Sequence, residues 1–370
     1  MRPLDGIRVL DFTTLLSGSM ASLVLAEAGA EVIKIEPKGG DRSRNQAPMV
    51  GETGADFAVL NRGKKSLVVD LHASDALRRL TKLIESVDVL IDDRRPGDID
   101  RPGLEYAEVE AINGRLIYCA ITGWGQEGPQ ANVEASGLNC GAETGLLSLR
   151  AGSDGGLALP TGPVSDIAAG SFPAVINILM ALRHRDQTGR GCKLDVAVAD
   201  AMFTFQYWAI AQAAATDQWP VPGKELLTGG SPRYQIYETA DGKFVAVAAI
   251  DDRHWENLCE RLELDEELRD RNADPDSVGD TLSAIFRARN AKFWREKFEN
   301  RDVGCSIVAS LQEAIANPHF QERGLFDRKV AVGGKELPAV VVPVQPAFRD
   351  VETVLDSPAL DDAADLLEDG

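Results

Sequence analysis

The sequence has few cysteines and histidines, which narrows its chemistry. Its five cysteines, an odd number, lie between Cys119 and Cys305 with no CxxC pair, and there are four histidines. This spacing fits none of the usual zinc sites and favours reduced, partly buried thiols over a disulfide framework. The GxxxxGK[ST] pattern is also absent, so ATP chemistry of the P-loop type is not supported.

A positive charge excess and a signal peptide are also missing. The net charge of −19 argues against nucleic acid as a partner. We expect no membrane partner, because no apolar run approaches the roughly 20 residues that span a bilayer. The N-terminus enters a strand pattern with no signal-peptide core, which predicts a cytoplasmic protein.

The first third of the chain alternates short apolar runs with amphipathic stretches. Buried, Val/Ile-rich strands separated by helices predict an α/β fold with a parallel, Rossmann-like sheet, which we expect to lack the GxGxxG fingerprint. Helices are predicted at 18–30 and 74–86. The predicted strands are IRVLDF, EVIKIE, SLVVDL, VDVLID and RLIYCAIT.

The later chain predicts a second, smaller α+β domain. A long alanine-rich helix is predicted over 194–216, and the proline- and glycine-rich stretch that follows is typical of a linker. YQIYETADGKFVAVAAI, at 234–250, predicts a hairpin with an Asp241-Gly242 turn. The domain prediction is a large domain of 1–202 and 320–370, a linker of 203–224 and a small domain of 225–319.

One carboxylate stands at the start of an apolar helical stretch, in PVSDIAAG at 163–170. Asp is a favoured helix cap, so Asp166 could simply cap the helix that follows. The other interpretation, a chemical role, depends on the rest of the chain.

Six ordered motifs resemble the class III CoA-transferase family, which also contains the α-methylacyl-CoA racemases. The resemblance covers nearly the whole chain. The motifs are LDGIRVLDFTTLLSG (4–18), GAEVIKIEPKGGDRSR (29–44), NRGKKSLVVDL (61–71), DVLIDDRRPG (88–97), NGRLIYCAITGWGQEGP (113–129) and TGRGCKLDVAVADA (188–201).

The resemblance implies that Asp166 is a catalytic nucleophile. In the family, the aspartate attacks an acyl-CoA thioester to give an anhydride, then an aspartyl-CoA thioester, from which CoA passes to an acceptor carboxylate. Thioester energy is kept throughout, so we expect no cofactor and no metal, with coenzyme A thioester as substrate. We expect Arg233 to meet a second carboxylate of the substrate, which together with the acidic composition suggests succinyl-CoA as donor and a dicarboxylate such as mesaconate as acceptor.

The racemase branch is the alternative function. Racemases pair an Asp with a His in a GHDINY-like stretch, which matches ASGLNC at 135–140 here. Ser136 stands in the histidine's place, and an unactivated serine is no base near neutral pH. We therefore expect a CoA-transferase, with a 2-methylacyl-CoA racemase as the alternative and a catalytically inactive CoA-binding protein as a second alternative.

The family grips CoA in loops that follow the first strands, with arginines suited to its phosphates. Lys64 and Lys65 could contribute, and Gly229 and Gly230 could form a lid. The resemblance also implies an interlocked homodimer. By motif match, the predicted CoA-binding residues are Leu15, Arg44, Val69, Asp93, Arg94, Arg95, Arg101 and Ser136.

Overall fold

The protein folds into two compact units, described here one at a time. The structure, a computed structural model, describes residues 1–14, 16–73, 76–96, 104–150 and 156–367. The first unit comprises residues 1–144, 160–205 and 318–370, and the second comprises 145–159 and 206–317.

The first unit is built on a parallel β-sheet. Its strand order is β5-β2-β1-β6-β7-β8, and every neighbouring pair in it is parallel. The predicted parallel sheet is thereby confirmed. The strands of this part of the chain are β1 (Arg8–Asp11), β2 (Glu31–Glu36), β3 (Met49–Val50), β4 (Thr53–Gly54), β5 (Lys65–Val68), β6 (Val89–Asp92), β7 (Ile117–Thr122) and β8 (Cys192–Ala197).

Helices cover both faces of this sheet, because alternate side chains of each strand point to opposite faces. Val9 packs into one core with α1 and α6, and Leu10 packs into another with α3 and α4. The helices are α1 (Leu16–Glu27), α2 (Ala55–Asn61), α3 (Ala76–Ser86), α4 (Tyr106–Ile112), α5 (Gly137–Glu143), α6 (Phe172–Thr188) and α7 (Val198–Met202).

The prediction of one long helix over 194–216 is wrong. Residues 192–197 form β8, which pairs with β7 from Ile117↔Cys192 onward, and the chain then continues as α7 and α8 (Tyr207–Thr216). Leu194 and Val196 reach the core while Lys193 and Asp195 alternate with them, so sheet pairing overrides alanine's helix preference. Helix α8 also occupies part of the segment predicted as a linker.

The prediction that GxGxxG is absent is also wrong. Residues 123–128 read GWGQEG. They follow β7 and form turns, and the next helix, α5, begins only at Gly137. The dinucleotide fingerprint requires its glycines to open a helix directly after a strand, so this copy does not fit that role.

The second unit holds a three-stranded antiparallel sheet and its own aromatic core. The predicted hairpin is confirmed, with Gly242 in its turn at a φ of +70°. The strands are β9 (Tyr234–Glu238), β10 (Phe244–Ala248) and β11 (Cys305–Ile307). The helices after α8 are α9 (Asp252–Leu262), α10 (Glu266–Arg269), α11 (Pro275–Arg287), α12 (Ala291–Phe298) and α13 (Leu311–Ile315).

The C-terminal segment returns to the first unit. It forms α14 (Pro318–Glu322) and a small sheet of β12 (Lys329–Val332), β13 (Lys335–Pro338) and β14 (Val354–Asp356). Its last part covers the edge strand β5, where Ser66 N–H donates to Asp362 at 2.7 Å and Val68 N–H donates to Asp361 at 2.8 Å. This cover keeps the edge of the sheet from pairing with other chains.

The helix that contains Asp166 is long and apolar enough to cross a membrane by length and composition, although no apolar run of about 20 residues was expected. It runs without a break over Asp166–Thr188, 23 residues. Core helices of soluble proteins meet the same criterion, and one side of this helix, including Val175 and Ile178, packs in the core with α1. It is weak support for a membrane span.

Candidate active site

Asp166 lies in the first turn of its helix and does not cap it, because residues 164 and 165 before it are already helical. Residues Asp166–Ser171 form a π-helical turn that continues into α6, with Pro173 near the start of the regular part. A π turn is uncommon and is found frequently at functional sites. The turn places the half-buried carboxylate of Asp166 beside the start of α5.

Gly137, the first residue of α5, contacts the Asp166 carboxylate. Its N–H donates to the carboxylate, which also accepts from the N–H of Asp166 itself. A Cβ on residue 137 would lie 2.6 Å from Asp166 Oδ2, closer than real contacts allow. Only glycine permits this approach of backbone to carboxylate.

The surroundings of Asp166 are poorly solvated. Burial raises the pKa of its carboxyl above the ordinary Asp value, and the N–H of Gly137 opposes that rise. The thiol of Cys140, one turn along α5, has a pKa raised to about 11, by burial first and by the charge of Asp166 second. Cys140 is therefore a neutral thiol near neutral pH.

The turn between β1 and α1 connects Asp166 to the carboxyl edge of the sheet. Ser17 Oγ donates to the backbone carbonyl of Asp166 at 3.0 Å. The N–H of Thr14, in the same turn, donates to Asp93 Oδ2 at 2.7 Å, just after β6. Since β1 and β6 are neighbouring parallel strands, their ends meet at one edge, where crevices in α/β sheets form.

Ser136, the residue in the place of the racemase histidine, caps α5. Its hydroxyl donates to Asn139 Oδ1 at 2.8 Å, and its N–H contacts the same oxygen at 3.2 Å. Asn139 Oδ1 accepts from the Ser136 N–H while the Ser136 side chain faces the N–H of Asn139, and this reciprocal arrangement is a capping box. Ser136 thus orients the helix whose first N–H contacts Asp166.

The structure brings Asp93 and Arg94 close to the β1–α1 turn. Arg94 makes a bidentate ion pair with Asp92, Nε to Oδ1 at 2.8 Å and Nη2 to Oδ2 at 2.6 Å. Arg95 is exposed. Leu15 and Arg101 lie outside the described residues. The CoA-binding role of all five stays a prediction.

Arg44 and Val69 are internal. The guanidinium of Arg44 pairs with Glu36 at 2.6 Å, donates to the carbonyl of Pro358 at 3.0 Å and covers the ring of Phe57. Val69 is 1% exposed in the core. The structure does not place these two side chains at an open surface, so any contact with CoA would require them to leave these partners.

The other residues singled out by the sequence have partners as well. Lys65 pairs with Glu31 at 2.5 Å. In the second unit, Arg233 pairs with Asp252 at 2.8 Å and covers the ring of Trp255. Lys64 is fully buried. Across the described residues, no group of three His, Cys, Asp or Glu side chains is arranged to hold a metal ion.

Sequence reasoning missed Gly137 and Ser17. A glycine directly after the capping Ser136 was a usable signal, because glycine is costly inside a helix and is kept where backbone must approach another group closely. Ser17 carried no such signal. Its contact with Asp166 spans 149 positions in sequence and depends on how α1 and α6 pack.

The chain belongs to CoA-transferase family III, whose family model matches residues 4–363. It is 29% identical over 370 residues to the acetyl-CoA:oxalate CoA-transferase of Acetobacter aceti, covering 97% of this chain and 93% of that protein. It is also 29% identical to the alpha-methylacyl-CoA racemase of Homo sapiens, covering 94% and 89%. A CAIB/BAIF family crystal structure from Brucella suis superposes with a TM-score of 0.83 at 26% identity, covering 100% and 99%.

Proposed function

We propose that this CoA-transferase moves CoA from an acyl-CoA donor, such as succinyl-CoA, to a carboxylic acid acceptor, with Asp166 as the nucleophile. The observation that carries the proposal is the Asp166 carboxylate itself. It is half-buried, it accepts from the Gly137 N–H, and the backbone of Asp166 contacts Ser17 near the start of α1, which follows the carboxyl end of β1, where α/β proteins bind ligands. A poorly solvated carboxylate is a better nucleophile than a hydrated one.

The proposed chemistry runs through two covalent states. The Asp166 carboxylate attacks the thioester carbonyl, forming an acyl-aspartyl anhydride as the C–S bond breaks and CoA leaves as thiolate. The thiolate attacks the aspartyl carbonyl, which releases the donor acid and leaves an aspartyl-CoA thioester. The acceptor carboxylate then attacks this thioester, and the released thiolate takes the acceptor acyl group from the resulting anhydride.

The proposed route needs no cofactor, because each step exchanges one activated acyl bond for another. Its main requirement is the exclusion of water, since anhydrides and thioesters hydrolyse. The small and apolar residues next to Asp166 suit that requirement. The N–H of Gly137 faces the oxygen that carries negative charge when the aspartyl carbonyl is attacked, and such a donor stabilises that state.

A dicarboxylate such as mesaconate is the acceptor we propose. The relative from Acetobacter aceti is named for oxalate, itself a dicarboxylate. Arg233, in the second unit, pairs with Asp252 at 2.8 Å, and its role towards a second carboxylate stays a prediction from the sequence. A screen of mono- and dicarboxylic acids with succinyl-CoA and acetyl-CoA, read by mass spectrometry, tests this choice.

The central test is the covalent adduct on Asp166. Incubation with acyl-CoA alone should leave a thioester on this residue, trapped by hydroxylamine or borohydride and located by peptide mass. Asp166→Asn keeps the shape but removes the nucleophile, so activity should fall by several orders of magnitude, as with nucleophile deletions in other enzymes.

Stability is the control for that variant. Asn retains an oxygen that can accept from Gly137 and removes a poorly solvated charge, so the free energy of unfolding should change by only about 1 kcal/mol. Full activity of Asp166→Asn with no adduct in the wild type would leave Asp166 a structural residue and favour another chemistry. A wild type that exchanges no CoA with any acid would favour the inactive CoA-binding protein.

Racemase activity is the second candidate, because the human relative carries a racemase name at the same 29% identity. Proton exchange at the α-carbon needs a base on each face. Ser136, which precedes Gly137 and stands in the place of the racemase histidine, donates its hydroxyl to Asn139 and is not a base of the kind this reaction needs. We therefore expect no α-deuterium incorporation into 2-methylacyl-CoA in heavy water at catalytic rates, and rapid incorporation would replace the transferase proposal with the racemase one.

A further inference from the structure

Four ionisable side chains lie buried beneath the turn that joins β1 to α1. Lys64 Nζ pairs with Asp11 Oδ2 at 3.1 Å, and both side chains are 0% exposed. Lys34 Nζ pairs with Asp41 Oδ2 at 3.0 Å, with 0% and 3% exposure. Replacing such pairs with neutral side chains of similar size is often neutral or stabilising, so stability alone does not account for them.

These charges converge on Thr13. Asp11 Oδ1 accepts from the N–H of Thr13 at 3.0 Å and from its hydroxyl at 2.6 Å. Lys34 Nζ donates to the carbonyl of Thr13 at 2.7 Å. Every polar group of Thr13 is therefore bound to a charged partner, and charge-assisted hydrogen bonds are the strong ones.

Lys64 ties the first turns of α1 to the end of β1. Its Nζ donates to the Ser19 carbonyl at 3.1 Å and to Ser22 Oγ at 2.8 Å, and Ser22 Oγ donates to Asp11 Oδ2 at 2.5 Å. Lys64 Nζ also donates to Asn61 Oδ1 at 2.8 Å. One ammonium group thus fixes the helix and the strand to each other.

Thr13 contacts α1 next to Ser17, the residue that donates a hydrogen bond to Asp166. A Cβ on Gly18 would lie 2.2 Å from Thr13 Cγ2, so the helix backbone rests on the threonine side chain. The neighbouring Ser17 donates to the carbonyl of Asp166 at 3.0 Å. A short path of direct contacts therefore leads from the buried charges to the start of the Asp166 helix.

We propose that the buried Asp11–Lys64 pair is a positioning element for Asp166 that acts through the β1–α1 turn. The inference rests on the proposed function of Asp166 as a nucleophile. Attack on a carbonyl depends on placement, and a displacement of about 1 Å can cost on the order of a hundredfold in rate. The buried ion pair fixes Thr13, and Thr13 in turn fixes the position of Ser17, and thereby of Asp166, relative to the sheet.

The test removes both charges together, in Asp11→Asn/Lys64→Met, so that no unpaired buried charge is left. Asn retains an oxygen that accepts from Thr13. We expect a melting temperature within about 4 °C of the wild type. The single-turnover rate of adduct formation on Asp166 should fall at least about tenfold, while KM for acyl-CoA stays within about twofold, since positioning affects the step rather than the binding.

The matched control is a buried ion pair at the other end of the same helix. Arg62 and Glu27 are 1% and 0% exposed and pair at 2.8 Å. Arg62→Met removes a buried charge at a site remote from Ser17, and Glu27 keeps its pair with Arg328 at 3.1 Å, so no buried charge is left unpaired. This variant should form the adduct at the wild-type rate. An equal loss in Arg62→Met and in Asp11→Asn/Lys64→Met would mean that general softening of α1, and not positioning, causes the effect.

Ser17→Ala supplies a second readout. It should slow adduct formation in the wild type and add little in the Asp11→Asn/Lys64→Met background, because both changes break the same path. Fully additive effects would overturn the inference. If the double variant does not fold, Thr13→Val, which keeps the shape and loses the hydroxyl bond to Asp11, carries the same expectation against Ser17→Ala.

The outcomes separate this inference from the function on which it rests. A wild type that forms no adduct on Asp166 contradicts the proposed function. A wild type that forms the adduct, with Asp11→Asn/Lys64→Met forming it equally fast, leaves the function standing and shows that the buried pair does not position the nucleophile.

Discussion

As the proposed nucleophile, Asp166 would react only when it is ionised, and its surroundings decide at what pH that form is lost. Burial raises the pKa of its carboxyl above 3.8, the ordinary value. The ionised fraction therefore falls at a higher pH than for an exposed Asp. We expect the rate of adduct formation to have an acid limb above pH 3.8, with activity falling as the pH falls through the folded-state pKa.

Protonation of Asp166 lowers the expected rate of adduct formation, but it raises the stability of the folded protein. Because its pKa is raised in the folded state, the folded protein binds the proton more readily, and Asp166 adds stability as the pH falls through that pKa. Asp11 behaves in the usual way. Lys64 and Lys34 outweigh the effect of its burial and lower its pKa from 3.8 to about 2, so its contribution is present above 3.8 and lost below it.

The two windows can be measured separately. Adduct formation and circular dichroism should be followed on the same samples from pH 7 to pH 2. The rate should fall while the fold is intact, and the contribution of Asp11 should be lost only at lower pH. An acid limb that coincides with unfolding, or one at or below the pH expected for an exposed Asp, would contradict the proposed environment of the nucleophile.

At the scale of elements, the sequence correctly predicted those helices and strands that have a clear hydrophobic periodicity. EVIKIE coincides with β2, and the helix predicted after Asp166 is present, although its helical conformation starts two residues before Asp166. The β8 strand was missed because CKLDVA runs directly into an alanine-rich segment with strong helix preference. Its strand state depends on β7, whose residues lie about 75 positions earlier in the chain, and local propensity carries no information about that partner.

The geometry around Asp166 was less predictable than the elements that build it. Family resemblance identified the carboxylate and the serine that replaces the histidine. It gave no reason to connect Lys64 with Asp166, since a lysine in a basic GKK run is ordinarily exposed. Its burial follows from the meeting of α1, β1 and the residue before β5, a three-way packing that no single stretch of sequence contains.

At the scale of the molecule, the first unit has an exposed apolar surface of the kind that binds a partner. A groove of about 580 Å³ lies between α1, α6 and the C-terminal segment, lined by residues such as Phe172, Ile176, Leu179, Val344 and Phe348. Three of these five side chains, Ile176, Leu179 and Phe348, are large hydrophobics that are at least 43% exposed. Contiguous apolar patches of this kind mark interaction surfaces.

We propose that a second copy of this chain covers the groove, in the interlocked homodimer that the family resemblance implies. Each chain would form a ring threaded by its partner, so separation would require a ring to open. The expected result is one dimeric species over a wide range of dilution, measured by analytical ultracentrifugation. Dimers carrying different tags should not exchange subunits at native pH unless they are first unfolded and refolded together. Monomers that appear on dilution, or tags that mix without unfolding, would show an ordinary surface contact or none, and the apolar groove would then need another occupant.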